Sequence, residues 1–240
     1  MLVLTLIALT IFGLPRQSSP KVEPFDDHAI ITPRRIERSR GRGEDRDTVI
    51  LIRPVVSGLR PTVLKKIRKE LELKKILGGQ YVFYKDWMFD FDYRVTYNRN
   101  HILSFAFSWN AYFAEHDKTV VFNLRDGSLI KAQDLVRQEQ IPELVKLIDQ
   151  KLQAELEQML RDHEGPRDLK YIWKAENALL KFTDEDLSEI AINDKGITFF
   201  YDPGFHHTAA WAEPAGRYFF TYRELKNLLK ADTVVSQFVE

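Results

Sequence analysis

Residues 187–229 read LSEIAINDKGITFFYDPGFHHTAAWAEPAGRYFFTYRELKNLL. The run Leu187–Asn193 and the run Ile197–Pro203 flank Asp194-Lys195-Gly196, which marks two strands joined by a tight turn. A histidine-bearing loop follows and closes at Pro214-Ala215-Gly216. Arg217–Tyr222 is a third, aromatic strand, and Arg223–Leu229 a closing helix. Hairpins followed by a helix belong to an antiparallel sheet, not to a βαβ series.

The segments upstream supply elements that cover this unit. Thr48–Val56 is a strand in which Pro54 suits an edge or a strand end. Pro61 opens a helix with Leu64, Ile67 and Leu71 on one stripe, stopped by Gly78-Gly79. Tyr81–Tyr112 reads as a long hairpin. Phe89, Phe91, Tyr93, Val95 and Tyr97 make an apolar face, Asn98-Arg99-Asn100 turns, and Leu103, Phe105, Phe107 and Trp109 continue that face. The small, polar second face (Ser104, Ala106, Ser108, Asn110) is expected to meet solvent or a ligand. Lys118–Leu124 extends the sheet to the turn Arg125-Asp126-Gly127-Ser128. The longest helix runs from Pro142 to about Asp162 with Val145, Ile148, Leu152, Leu156 and Met159 aligned. Leu169–Phe182 is read as helix or loop. The expectation is an α+β fold: a largely antiparallel sheet built from hairpins, with two main helices packed on it.

Two N-terminal segments stand apart. Met1–Leu14 is almost wholly apolar. It is shorter than the roughly 20 residues of a membrane span and nearer the apolar core of a secretory signal, so 1–14 is read as a signal or membrane anchor. Residues 15–47 carry Pro15, Pro20, Pro24 and Pro33, then Arg34, Arg35, Arg38, Arg40, Arg42 and Arg46 among acids, and are read as a charged linker. Residues 48–240 remain for the α+β domain, undivided or as two intertwined subdomains, 48–135 and 136–240.

Composition narrows the function classes. The chain has 240 residues, 35 Lys+Arg against 35 Asp+Glu, and no cysteine. Balanced charge argues against general nucleic-acid binding. Without cysteine there are no disulfides, thiolate nucleophiles or Cys-based zinc sites. No P-loop, dinucleotide fingerprint or Ser-His-Asp order occurs, and no cofactor is implied.

The order of several short motifs resembles the RsiV-like extracytoplasmic domains. Pro54-Val55-Val56-Ser57-Gly58-Leu59 before a Lys-rich helix is similar to their opening, and Tyr97-Asn98-Arg99-Asn100-His101-Ile102-Leu103-Ser104 to their central hairpin. Asn123–Ser128 with Asp134-Leu135, Asp186-Leu187 through Asp194–Phe199, Pro214-Ala215-Gly216 and Tyr222-Arg223-Glu224-Leu225 continue the series over roughly residues 48–230. The resemblance implies a place outside the cytoplasmic membrane: secreted, periplasmic or membrane-anchored. It also implies a role like that of family members which sense lysozyme or accompany peptidoglycan deacetylases. Where the family carries a Gly-Ala-His type turn, this chain has Phe113-Ala114-Glu115-His116-Asp117.

The chemistry concentrates in two loops, 113–118 and 203–215. His206 and His207 lie between Asp202 and Glu213, and His116 joins them if the loops meet; imidazoles with carboxylates ligate zinc or act as acid and base. Adjacent histidines on extended backbone face opposite sides, and no metal-ligand spacing occurs. Trp109, Tyr112, Trp173 and Trp211 are candidates for a sugar-stacking platform, and Trp211 is the one that shares the histidine loop. The expected ligand-binding set is therefore Glu115, His116, His206, His207, Trp211 and Glu213, with no catalytic or metal residue assigned. The expected role is a non-catalytic binding or sensor domain for a lysozyme-like protein or a peptidoglycan fragment, tethered to the membrane through 1–14. The alternatives are an envelope hydrolase using Asp202, His206, His207 and Glu213, and a structural scaffold.

Overall fold

Asn100 and His101 both have positive φ, 56° and 62°, and form a two-residue turn between the strands Met88–Arg99 and Ile102–Ala111. Such a turn matches the right-handed twist of its flanking strands, and asparagine tolerates it better than most residues. The computed structural model describes residues 27–40, 47–111, 114–163, 165–176 and 180–239. The strands β1 (Ile30–Arg40), β2 (Asp47–Ser57), β3 (Met88–Arg99), β4 (Ile102–Ala111) and β5 (Ala114–Asn123) form one sheet in that order. A second sheet holds β6 (Ile190–Ile192), β7 (Gly196–Phe200) and β8 (Arg217–Thr221). Every pairing is antiparallel except β2 with β3, which runs parallel and pairs at Ile50↔Asp90 and Leu51↔Phe91. The fold is α+β and largely antiparallel.

The helices follow from the same signals. In α1 (Pro61–Glu70) proline opens the first turn, and Val63 and Ile67 are buried. After α2 (Leu73–Leu77) the chain re-enters helix as α3 (Tyr81–Trp87), so the hairpin expected from Tyr81 begins at Met88. Beyond the one-turn α4 (Ala132–Leu135), α5 (Ile141–Asp162) buries Ile141, Leu144, Ile148, Leu152 and Leu156. Gly165 precedes α6 (Pro166–Ala175), which settles part of Leu169–Phe182 as helix. The closing helix is the short α7 (Tyr222–Leu225), capped reciprocally by Thr221 and Glu224.

Residues 30–40 correct the linker reading. They form β1, paired residue by residue with β2 from Ile30↔Ser57 to Arg40↔Asp47. Composition misleads because an edge strand earns its order from a backbone ladder and needs little side-chain burial; Ile31 and Ile36 are only partly buried. Pro33 lies opposite Pro54. Two residues without an N–H fit only a pair that exchanges no ladder hydrogen bonds. Residues 15–26 and 41–46 of the linker reading, and the apolar 1–14, lie outside the described residues. Among the described residues no helix is long and apolar enough to cross a membrane.

Two cores share one wall. Leu103, Phe105, Phe107 and Phe122 pack with Leu51, Phe91 and Ile67 on one side of the first sheet. On the other side Tyr97, Ile102 and Val121 join α5 and the second sheet. Each fully buried Phe or Leu contributes about 2 kcal/mol. The second face of β4 is therefore not a solvent or ligand face along its length. Ser104 is fully buried, and its hydroxyl accepts from Thr96 Oγ1 at 2.8 Å. A small side chain there lets β6 approach β4. Arg99 pairs with Asp194 and Arg217 with Asp117 (2.9 Å), joining the two sheets at the surface.

Candidate functional site

Three successive backbone N–H groups in the loop after β7 donate to three carboxylates. Gly204 donates to Asp202 at 2.7 Å, Phe205 to Glu213 at 3.0 Å and His206 to Glu176 at 2.9 Å. A carboxylate is an acceptor-only group, and hydrogen bonds to it are stronger than neutral ones. The acids that the sequence groups with the histidines thus hold the loop's main chain. Burial, then the neighbouring Asp202 charge, push the Glu213 carboxyl above its usual range, against the lowering effect of the Phe205 N–H.

The loop continues into a 3-10 turn, His207–Ala212. His206 caps it: Nδ1 accepts the Thr208 backbone N–H and lies 2.9 Å from the Thr208 hydroxyl. At its far end Trp173 Nε1, on α6, donates to the Ala212 carbonyl at 2.8 Å. Between these anchors Trp211 is 54% exposed, its ring 5.3 Å from that of His163 at the end of α5. Large apolar side chains exposed singly are common on protein surfaces; Trp211 stands out by its place on a turn anchored at both ends. The side chain of His207 lies outside the described residues.

The other expected segment is not a loop. Glu115, His116 and Asp117 are strand residues of β5, opposite Asn110, Trp109 and Ser108. Successive strand residues face opposite sides, so Glu115 and His116 cannot serve one site. Glu115 is exposed. His116 turns inward and stacks on Trp109 (5.6 Å, 21°) beside Tyr84 (4.8 Å). His116 Nε2 and Trp109 Nε1 are buried without a hydrogen-bond partner among the described residues. Burial lowers the His116 pKa, opposed by a hydrogen bond with the Ala111 backbone and by the charges of Asp202 and Asp117. Asp202 also helps burial to raise Tyr84. It is the common electrostatic neighbour of Tyr84, His116 and Glu213, and links the inner aromatic cluster to the outer loop.

The platform of four aromatics does not assemble. Trp109 is core at 5% exposure, Trp173 is half-buried, and Tyr112 lies outside the described residues. Among the described residues no three His, Asp or Glu side chains converge as a metal site. Glu176 and Tyr84 went unnoticed in the sequence, because tertiary packing alone brings them to the loop.

No family model matches the sequence, and no curated protein matches it. Two solved structures are similar in fold. One is a member of the DUF3298 family from Bacteroides fragilis NCTC 9343, with 11% identity, covering 89% of this chain and 98% of that chain at a TM-score of 0.53. The other is a DUF3298 family protein from Pseudomonas aeruginosa PAO1, with 14% identity, 85% and 96% coverage and a TM-score of 0.59. The chain therefore shares the fold of these DUF3298 proteins over most of its length.

Proposed function

We propose that the chain is a non-catalytic, sensor-type binding domain of the bacterial cell envelope, of the RsiV-like kind. The observation that carries this reading is Trp211: an indole 54% exposed on a turn tied down by His206, Glu213 and Trp173. A pre-ordered aromatic loses little entropy on binding, which is the usual property of an interface anchor. The carboxylates around it are already engaged with backbone amides, an arrangement that suits scaffolding better than proton transfer. In this reading the ligand is a lysozyme-like protein or a peptidoglycan fragment, and residues 1–14 deliver or tether the domain outside the cytoplasm. The motif series and the shared DUF3298 fold support it.

The test is a fluorescence titration of the full chain with lysozyme and, separately, with soluble peptidoglycan fragments. A saturable change in the indole signal, absent in Trp211→Phe, is expected with one of them. A flat response to both overturns the proposal.

A further inference from the structure

A second surface feature lies on the first sheet, where β1 and β2 meet α1. Arg34 on β1 stands directly opposite Arg53 on β2. Like charges placed across an antiparallel pair repel, and a strand pair selected for stability alone avoids them. Arg68 of α1 reaches the same place, and the three side chains line a groove of about 270 Å³ with Ile36, Pro54 and Val55.

Two of the three guanidiniums are held in place. Arg53 Nη2 donates to the Leu71 carbonyl at 2.8 Å, and Arg68 Nη2 to the Val56 carbonyl at 3.0 Å. None of the three has a carboxylate within ion-pair distance among the described residues. Burial, then the Arg34 charge, lower the pKa of the half-buried Arg53, with Glu72 and Tyr81 acting the other way. Two held guanidiniums and the exposed Arg34 beside them, none in an ion pair among the described residues, offer more donors than one carboxylate accepts, and the fork geometry matches phosphate oxygens bidentately. The apolar wall of Ile36, Pro54 and Val55 suits the carbon part of an ester.

We propose that the groove bounded by Arg34, Arg53 and Arg68 is a binding site for a phosphate ester. Sequence-blind repulsion of neighbouring copies is the simpler use of arginines on an edge strand. It would be served equally by outward residues such as Arg35, which pairs with Glu37 at 3.1 Å. It gives no reason to face Arg34 with Arg53.

The experiment compares the full chain with Arg34→Gln and Arg35→Gln, which remove the same charge from adjacent positions of β1. The probes, at constant ionic strength, are inorganic phosphate, glycerol 3-phosphate, and phosphatidylglycerol vesicles against phosphatidylcholine vesicles. Arg34→Gln should weaken binding about tenfold while raising the melting temperature in probe-free buffer, because it removes a repulsion. Arg35→Gln should leave binding unchanged. An Arg34-dependent response to the soluble phosphates identifies a small-molecule site. An Arg34-dependent response to phosphatidylglycerol vesicles alone identifies a lipid headgroup as the source. Equal losses in both variants, or no Arg34-dependent binding to any probe, overturn the proposal.

Discussion

The Glu189 carboxylate accepts hydrogen bonds from both the backbone N–H and the hydroxyl of Thr119, at 2.6 and 3.2 Å. The one proton of that hydroxyl is shared between the carboxylate and the Ile190 carbonyl oxygen, which lies 3.0 Å away. These bonds fasten the edge of β6 to the edge of β5, where no main-chain ladder joins the two sheets. Burial raises the Glu189 pKa despite the two Thr119 donors; Asp117 adds to the rise and Lys118 opposes it. The fold thus favours the protonated acid. That contribution to stability is present below the ordinary value of 4.5 and is lost as pH rises through the raised one. Glu189→Gln should gain on the wild type progressively as pH rises above 4.5. Glu189→Ala, which orphans the Thr119 N–H, should lose about 2 kcal/mol. Urea midpoints between pH 4 and pH 7 measure both.

His116 works in the opposite sense. Its pKa is lowered, chiefly by burial, so the neutral ring is the stable form. Its contribution is complete above the ordinary 6.5 and is lost as pH falls through the lowered value. His116→Phe keeps the ring stacked on Trp109 and Tyr84. Its melting temperature, followed from pH 7.5 to 5, should fall less than that of the wild type. An equal fall in both proteins would remove His116 from the account of acid sensitivity.

Gly216 closes the loop that carries Trp211. Its φ is +63°, its carbonyl accepts the Tyr201 N–H at 2.9 Å, and an added Cβ would collide with the Tyr201 carbonyl oxygen. Gly216→Ala should cost on the order of 3 kcal/mol, from the left-handed backbone and the clash together. Thermal unfolding reports the loss, and ligand affinity should fall with it, since Trp211 sits in the loop that Gly216 closes.

The core face of β4 was legible from the sequence, and so was α5. In β3 the single apolar face expected for Phe89–Tyr97 breaks, because irregularities in the pairing with β4 send Tyr97 to the other core and leave Phe89 and Val95 exposed. Phe91, Phe105 and Phe107 stand on one face because strand periodicity is two, and Ile148, Leu152 and Leu156 on one stripe because helix periodicity is near four. β1 was not legible, since its stability is a ladder to β2 and its side chains are mostly exposed. The second face of β4 misled for a related reason: a buried Ser104 is apolar in environment though polar in name. At the site, Trp211 and the carboxylates of the 202–213 loop were visible as residues. Their roles were not, because which amide a carboxylate caps depends on a loop path that local spacing does not contain. A lone acid inside the apolar run Leu187–Ile192 was the one available signal for Glu189.

The most direct test of the central claim is calorimetric titration of the full chain with lysozyme and with soluble peptidoglycan fragments, run beside Trp211→Ala. An exposed indole should contribute within about 0.5 kcal/mol to folding, so the variant's melting temperature should hold. The account predicts a saturable heat with one of the two ligands and its loss in the variant. Unchanged binding by a folded Trp211→Ala, or no heat from the wild type with either ligand, would contradict it.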